Sequence, residues 1–246
     1  MGYWKDTLAK IAAVKTTVDT LSLISDKEKS LLGIGVLEGW QEYFNKVAND
    51  ANPEVASWSV VETGGTANVE NDTAGAPGYQ HCSTGITTGN DSIAYTRGKK
   101  TFGLKYGVTT IHLEARVKVG FTADNGDKWG IGFVENDLTP TQVNSIVQPN
   151  ANPALISMTS AVISATTSDN TTIEQTDITA FITNDTWFNL LIIISATDVK
   201  FYIDGTLRAT HETNVPASVW QVVLAATCQN SAAQHTYCQY VRVWGE

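Results

Sequence analysis

The 246-residue chain carries 16 Lys and Arg against 25 Asp and Glu, a formal net charge of -9, and 42% of its residues are hydrophobic. That is enough apolar matter for one large domain or a domain with an appendage, and the acidic balance argues against nucleic acid, whose affinity comes from Lys and Arg displacing counterions. No stretch approaches the roughly 20 apolar residues of a membrane helix, so no membrane insertion is expected.

The opening "MGYWKDTLAKIAAVKTTVDT" interleaves Lys and Asp with its apolar residues, unlike a secretory signal, so synthesis in the cytoplasm is expected. Trp4, Thr7, Ile11, Val14, Val18 and Leu21 recur at alternating three- and four-residue intervals, the seam of a helix that winds on copies of itself. Ile11 and Val18 at one seam position and Val14 at the other favour more than two strands, a trimer first. An amphipathic helix packed on its own domain is the alternative.

Ser25 and Glu28 make a capping box, and a second helix is expected through about Val47, with Leu32, Val36, Trp40, Tyr43, Phe44 and Val47 on one face. Gly33, Gly35 and Gly39 each weaken it by about 1 kcal/mol relative to Ala. Residues 1–50 are thus read as a helical anchoring or oligomerisation segment, 51–54 as a linker, and 55–246 as a separate domain. Removal of 1–50 is expected to leave a soluble, monomeric sandwich.

From Val55 onward, short runs rich in Val, Ile, Thr, Phe, Tyr and Trp are separated by Gly, Asn, Asp and Pro, the pattern of an antiparallel sandwich. Strands are expected at 55–62, 91–97, 107–119, 129–135, 155–165, 187–196, 198–203, 206–211, 219–228 and 236–244. In "GVTTIHLEARVKV" the alternation puts Ile111, Leu113, Ala115, Val117 and Val119 on one face and His112, Glu114, Arg116 and Lys118 on the other. The run "WFNLLIIISA" has an unbroken apolar centre, so both its faces are expected to be covered. Asp204-Gly205 in "KFYIDGTLRAT" suits a two-residue type I′ turn, which needs positive φ at both positions.

Cys82, Cys228 and Cys238 have no metal-ligand spacing. If 219–228 and 236–244 pair as a hairpin, Cys228 and Cys238 lie nearly opposite, either bridged or as two buried thiols. His81, His112, His211 and His235 are scattered, so no metal site is expected from them. Trp187, Trp220 and Trp244 sit in apolar strands and read as core.

"TIHLEARVKV", "WGIGFVEND", "WFNLLIIISATDVKFYIDGTLRATHETNVP" and "YCQYVRVWGE", in that succession, resemble the concanavalin A-like lectin and glucanase superfamily, in particular laminin-G-like and laminarinase-like jelly rolls. The resemblance covers most of residues 55–246 and implies two curved antiparallel sheets, an all-β jelly-roll sandwich, with ligands on the concave face or the loop rim. Glycosidases of this kind present two carboxylates on one strand face in an E-x-D-x-x-E pattern, since the pair must stand about 5 to 5.5 Å apart. The sequence has no such pattern. Glu114, between His112 and Arg116, could be a tuned carboxylate, but a cross-strand charge ladder is the plainer reading.

Lectin sites of the fold use an exposed aromatic and oxygen ligands, sometimes around Ca2+. The loop before Trp129 offers Asp124, Asn125 and Asp127, which ordinary turn chemistry also explains. No other cofactor is expected.

These features together suggest a non-catalytic virion surface protein, a capsid decoration or head-fibre subunit displaying a lectin-like sandwich at the virion surface. It would be a homo-oligomer held to sister subunits or capsid proteins through Ile11, Val14, Val18, Leu21, Val36, Trp40 and Phe44. The alternatives are a carbohydrate-binding adhesion module, extracellular and directed at cell-surface glycans, and a divergent polysaccharide hydrolase or lyase.

Overall fold

The computed structural model describes residues 39–43, 58–63, 68–72, 79–83, 88–98, 101–104, 108–120, 128–135, 151–159, 161–216, 220–230 and 235–246. They form fifteen strands: β1 Gly39–Tyr43, β2 Trp58–Thr63, β3 Asn68–Asp72, β4 Tyr79–Ser83, β5 Thr88–Gly98, β6 Thr110–Gly120, β7 Lys128–Glu135, β8 Ala154–Thr159, β9 Val162–Ser168, β10 Ile173–Asp177, β11 Trp187–Ser195, β12 Val199–Ile203, β13 Thr206–His211, β14 Trp220–Asn230 and β15 His235–Gly245. One sheet has eight strands in the order β13-β12-β11-β6-β15-β4-β3, with β1 also paired to β15. The other has seven, in the order β10-β9-β8-β7-β14-β5-β2. All pairings are antiparallel, and the two sheets stack as the expected jelly-roll sandwich.

Alternation builds the core. In β6 every second residue from Ile111 to Val119 is fully buried, and β11 matches it with Phe188, Leu190, Ile192 and Ile194. The facing sheet contributes Trp129, Ile131 and Phe133 from β7, Ile156 and Met158 from β8, and Trp220, Val222 and Leu224 from β14. Completely burying each such side chain contributes roughly 1.5–3 kcal/mol.

Several expectations change. Residues 39–43 are a strand, not the second half of a helix, and pair with Tyr240–Trp244 of β15. The physical reason is local and tertiary together: Gly33, Gly35 and Gly39 weaken a helix, aromatic Trp40 and Tyr43 suit a pleated surface, and β15 offers a free ladder edge there. The first fifty residues therefore supply a strand to the sandwich sheet. Ile11, Val14, Val18, Leu21, Val36 and Phe44 lie outside the described residues, as does the proposed linker.

The expected strand at 155–165 is two, β8 and β9, joined through Ala161 at φ 68. The strand at 187–195 is central but alternates: Leu191 and Ile193 on its outer side are half-buried, because β11 belongs to the sheet whose outer face is partly exposed. β14 and β15 belong to different sheets, so no hairpin sets Cys228 opposite Cys238. Cys238 is a free, buried thiol that donates to the Tyr240 carbonyl at 3.2 Å, and burial pushes its pKa up. The Asp204-Gly205 turn has φ of 49 and 77, the type I′ signature, and Asp204 Oδ1 accepts the Asn189 amide at 2.9 Å.

At the side where β13 and β10 are the outermost strands, His211 joins the two sheets. Its ring is fully buried, with Nδ1 2.8 Å from Thr167 Oγ1 and Nε2 3.0 Å from Thr176 Oγ1. Burial lowers the pKa of His211, against an opposing pull from Glu174, and burial likewise lowers those of His112 and His235. The unfolded chain binds protons near pH 6.5 while the folded chain resists them, so stability falls as pH drops from about 6.5 through the depressed folded values. The slope reaches up to about 1.4 kcal/mol per pH unit for each histidine. Thermal melts between pH 8 and pH 5 should show this loss, and His211→Gln should flatten it.

Candidate functional site

The outer face of the seven-stranded sheet is made by the positions that alternate with the core. Two rows cross it: Val223, Gly132, Leu155, Thr166 and Gln175, then Ala225, Gly130, Ser157, Ser164 and Asp177. The centre is floored by small residues and flanked by hydroxyls. Gly132 has φ 149, and a Cβ there would lie 2.6 Å from both the Ala154 carbonyl oxygen and Leu155 Cα, so glycine is required where β7 crosses β8.

The hydroxyls are organised. Ser157 Oγ and Thr166 Oγ1 are 3.1 Å apart, and Gln175 Nε2 donates to Thr166 Oγ1 at 3.3 Å. Ser157 and Thr166 are buried. On β14, across β7 from them, Gln221 is only 7% exposed and its Oε1 has no hydrogen-bond partner; the buried Thr159 Oγ1 has none either. An unpaired buried acceptor or donor costs about 1–3 kcal/mol, a cost that an ordered water or a ligand would relieve.

One carboxylate occupies an outward position among the described side chains of β7, β8, β9, β10 and β14. It is Asp177 at the sheet edge, whose hydrogen bonds from Thr179 hold its carboxyl below the usual range. The paired acids of two-carboxylate glycoside cleavage are thus not present on this face among the described residues.

The outer face of the eight-stranded sheet differs in chemistry. Cross-strand neighbours His112 and Trp244 stack with centroids 4.8 Å apart, and Trp244 Nε1 donates to Glu246 Oε1 at 3.0 Å. Glu114 accepts from Arg242 through both Nε, at 3.1 Å, and Nη2, and from the Tyr240 hydroxyl at 3.1 Å. Burial, with the neighbouring Glu114 charge adding to it, pushes the Tyr240 pKa up to about 12. Glu114 is therefore held in a cross-strand ion pair, with a side chain 22% exposed against 7% for Arg242.

Of the other residues singled out from sequence, Trp129 is fully buried between the sheets and cannot present an aromatic to a ligand. It falls on the core side because β7 alternates from Trp129 through Ile131 to Phe133. Asp124, Asn125 and Asp127 lie outside the described residues, and Trp40 falls within β1. Among the described residues no group of three His, Cys, Asp or Glu is placed to hold a metal ion. Trp220 is core as expected, whereas Trp187 and Trp244 stand on the outer face. Sequence reasoning missed Gln221, Ser157 and Thr166. Their signal was available, since Ser and Thr alternate with Ile, Met and Ala in "ALISMT" and "VISATTS".

No protein-family model matches the sequence, and no curated protein does. Solved structures do match in fold. An endo-acting O-glycanase from human gut microbiota superposes with a TM-score of 0.60 at 11% identity, covering 86% of this chain and 100% of that one. The Bacillus licheniformis β-glucanase gives 0.55 at 15% identity, over 85% and 98%. A Mycobacterium tuberculosis protein described as a pseudo β-1,3-glucanase gives 0.59 at 16% identity, over 86% and 99%. The fold is thus the concanavalin A-like sandwich of glucanases. The expectation of a non-catalytic virion surface protein is corrected by the same comparisons: these structures, which coincide with 85–86% of this chain and 98–100% of their own, are described as a glycanase, a β-glucanase and a pseudo β-1,3-glucanase.

Proposed function

We propose that this protein is a polysaccharide-active member of the glucanase-like jelly rolls, a glycan hydrolase that engages its polymer at the outer face of the seven-stranded sheet. The observation that carries this reading is the coextensive likeness: 83–86% of this chain aligns with 96–100% of five glycanases, glucanases and related proteins. The chemistry of the face supports it. Gly130, Gly132 and Ala225 put no bulky side chain on this face, Ser157, Thr166 and Gln175 carry hydroxyl and amide groups of the kind that meet sugar hydroxyls, and Gln221 holds an acceptor without a partner.

A second reading, glycan binding without cleavage, is favoured by one specific observation. The outward positions of β8 are Leu155, Ser157 and Thr159, and those of β9 run from Val162 through Ser164 and Thr166 to Ser168, with no acid among them. One of the matched proteins is itself described as a pseudo-glucanase.

Incubation of the intact protein with laminarin and lichenan separates the readings: new reducing ends establish a hydrolase, retention of polymer without them establishes a binding module, and neither removes both. Gln221→Met is expected to raise Tm by about 2–4 °C, since relieving one unpaired buried group recovers roughly 1 kcal/mol. The same substitution should weaken polymer retention severalfold, as measured by affinity electrophoresis. A variant both less stable and equally retained would take Gln221 out of the site.

A further inference from the structure

The outer face of the eight-stranded sheet, on the opposite side of the sandwich, holds a second feature. Arg116, Lys118 and Trp187 meet there through the register of β6 with β11 and β15, in which Lys118 lies opposite Trp187 and Tyr237, and Arg116 opposite Asn189 and Tyr240. The Arg116 guanidinium stands 6.0 Å from the centroid of the Trp187 ring, and Lys118 Nζ stands 5.8 Å from that ring and 4.3 Å from Tyr237. Trp187 and Tyr237 are half-buried, so both rings keep accessible surface.

The described polar contact of Arg116 is Nη1 donating to Asn189 Oδ1 at 3.3 Å, and among the described residues no carboxylate lies within ion-pair distance of it. The acid two residues away, Glu114, is occupied by Arg242 and Tyr240. Lys118 is paired at 2.8 Å with Asp185, whose side chain is 70% exposed, an arrangement worth little in water and readily exchanged. In a chain of net charge -9 this is a locally cationic, aromatic-walled patch.

We propose that this patch binds an acidic saccharide, a uronate-bearing polysaccharide segment, with Arg116 taking the carboxylate and Trp187 the face of the sugar ring. A planar guanidinium with unused N–H donors matches a carboxylate in two parallel hydrogen bonds. An aromatic ring offers the apolar face of a sugar a flat partner, and the cations already set against it add positive charge where the anion arrives. That the ligand is a polysaccharide rests on the reading above; that it is anionic, and that it binds on the opposite side of the sandwich, does not.

The test uses the intact protein and polygalacturonate, followed by titration of tryptophan fluorescence and by affinity electrophoresis at low and high salt. Binding should perturb the fluorescence and weaken with salt. Arg116→Gln should lower the affinity about tenfold or more while Tm is unchanged, and Arg116→Lys, which keeps the charge but loses the fork, should lie between. Dextran, neutral, should not compete. Arg116→Gln should leave laminarin or lichenan turnover and retention as they are, so failure here and failure of the main reading are separable. Absence of polygalacturonate binding by the unaltered protein, or titration of Arg116→Gln indistinguishable from it, overturns the proposal.

Discussion

Alanine at position 132 should destabilise the sandwich by about 3–5 kcal/mol, at the upper end of single-substitution effects, and should leave little folded protein at 37 °C. Two costs combine. The backbone at φ 149 is strained for any residue with a Cβ, and the added carbon would sit 2.6 Å from the Ala154 carbonyl oxygen and from Leu155 Cα and Cβ. These are backbone and near-backbone atoms of the paired strand, so nothing flexible can yield. Gly205 supplies the control: its φ of 77 is also left-handed, but a Cβ there meets nothing within 4 Å. Gly205→Ala should therefore cost only about 1–2 kcal/mol. Urea denaturation of both variants should show a wide gap between them; equal midpoints would mean that β7 and β8 can part locally.

Arg242→Met should cost about 3 kcal/mol, because it strands the Glu114 carboxylate with Tyr240 as its remaining partner on a largely covered part of the sheet. Glu114→Leu combined with Arg242→Met should recover most of that loss, since two apolar side chains of similar volume do not need each other's charge. The four-member cycle of single and double variants gives the coupling directly, with an expected interaction of 1 kcal/mol or more, roughly what contacting residues in one network show. Additive losses would show the pair to be independent.

The strand pattern was legible because period-2 alternation reports burial directly. β6, β12 and β13 came out of the sequence within a few residues of their observed bounds. Four strands were not read: β1, β3, β4 and β10. Of these, β10, "IEQTD", is mixed and partly exposed on both sides, so no apolar face advertised it. Gly39–Tyr43 was hidden by a helical spacing of apolar residues that a free edge on β15 overrode, a contest decided by long-range pairing and invisible in a local window.

The candidate site was less legible than the fold for a related reason. Ser157, Thr166 and Gln221 are common residue types, and their meaning comes from sharing one face of a sheet in which β14 is distant in sequence from β8 and β9. Trp129 misled in the opposite direction: a tryptophan beside an oxygen-rich loop suggested a sugar platform, but strand parity turned it inward. Glu114 was flanked by Arg116 in sequence, yet its true counterion came from Arg242 near the other end of the chain.

The place of Gly39–Tyr43 has a practical consequence for anyone shortening this polypeptide. Those five residues close the backbone ladder of Tyr240–Trp244, so a fragment begun at residue 51 would bare a row of main-chain donors and acceptors beside the molecule's last strand. Such a row recruits any matching stretch, including one from an identical molecule. The fragment should grow in apparent mass as its concentration rises, and a free peptide spanning 36–46 should return it to single copies.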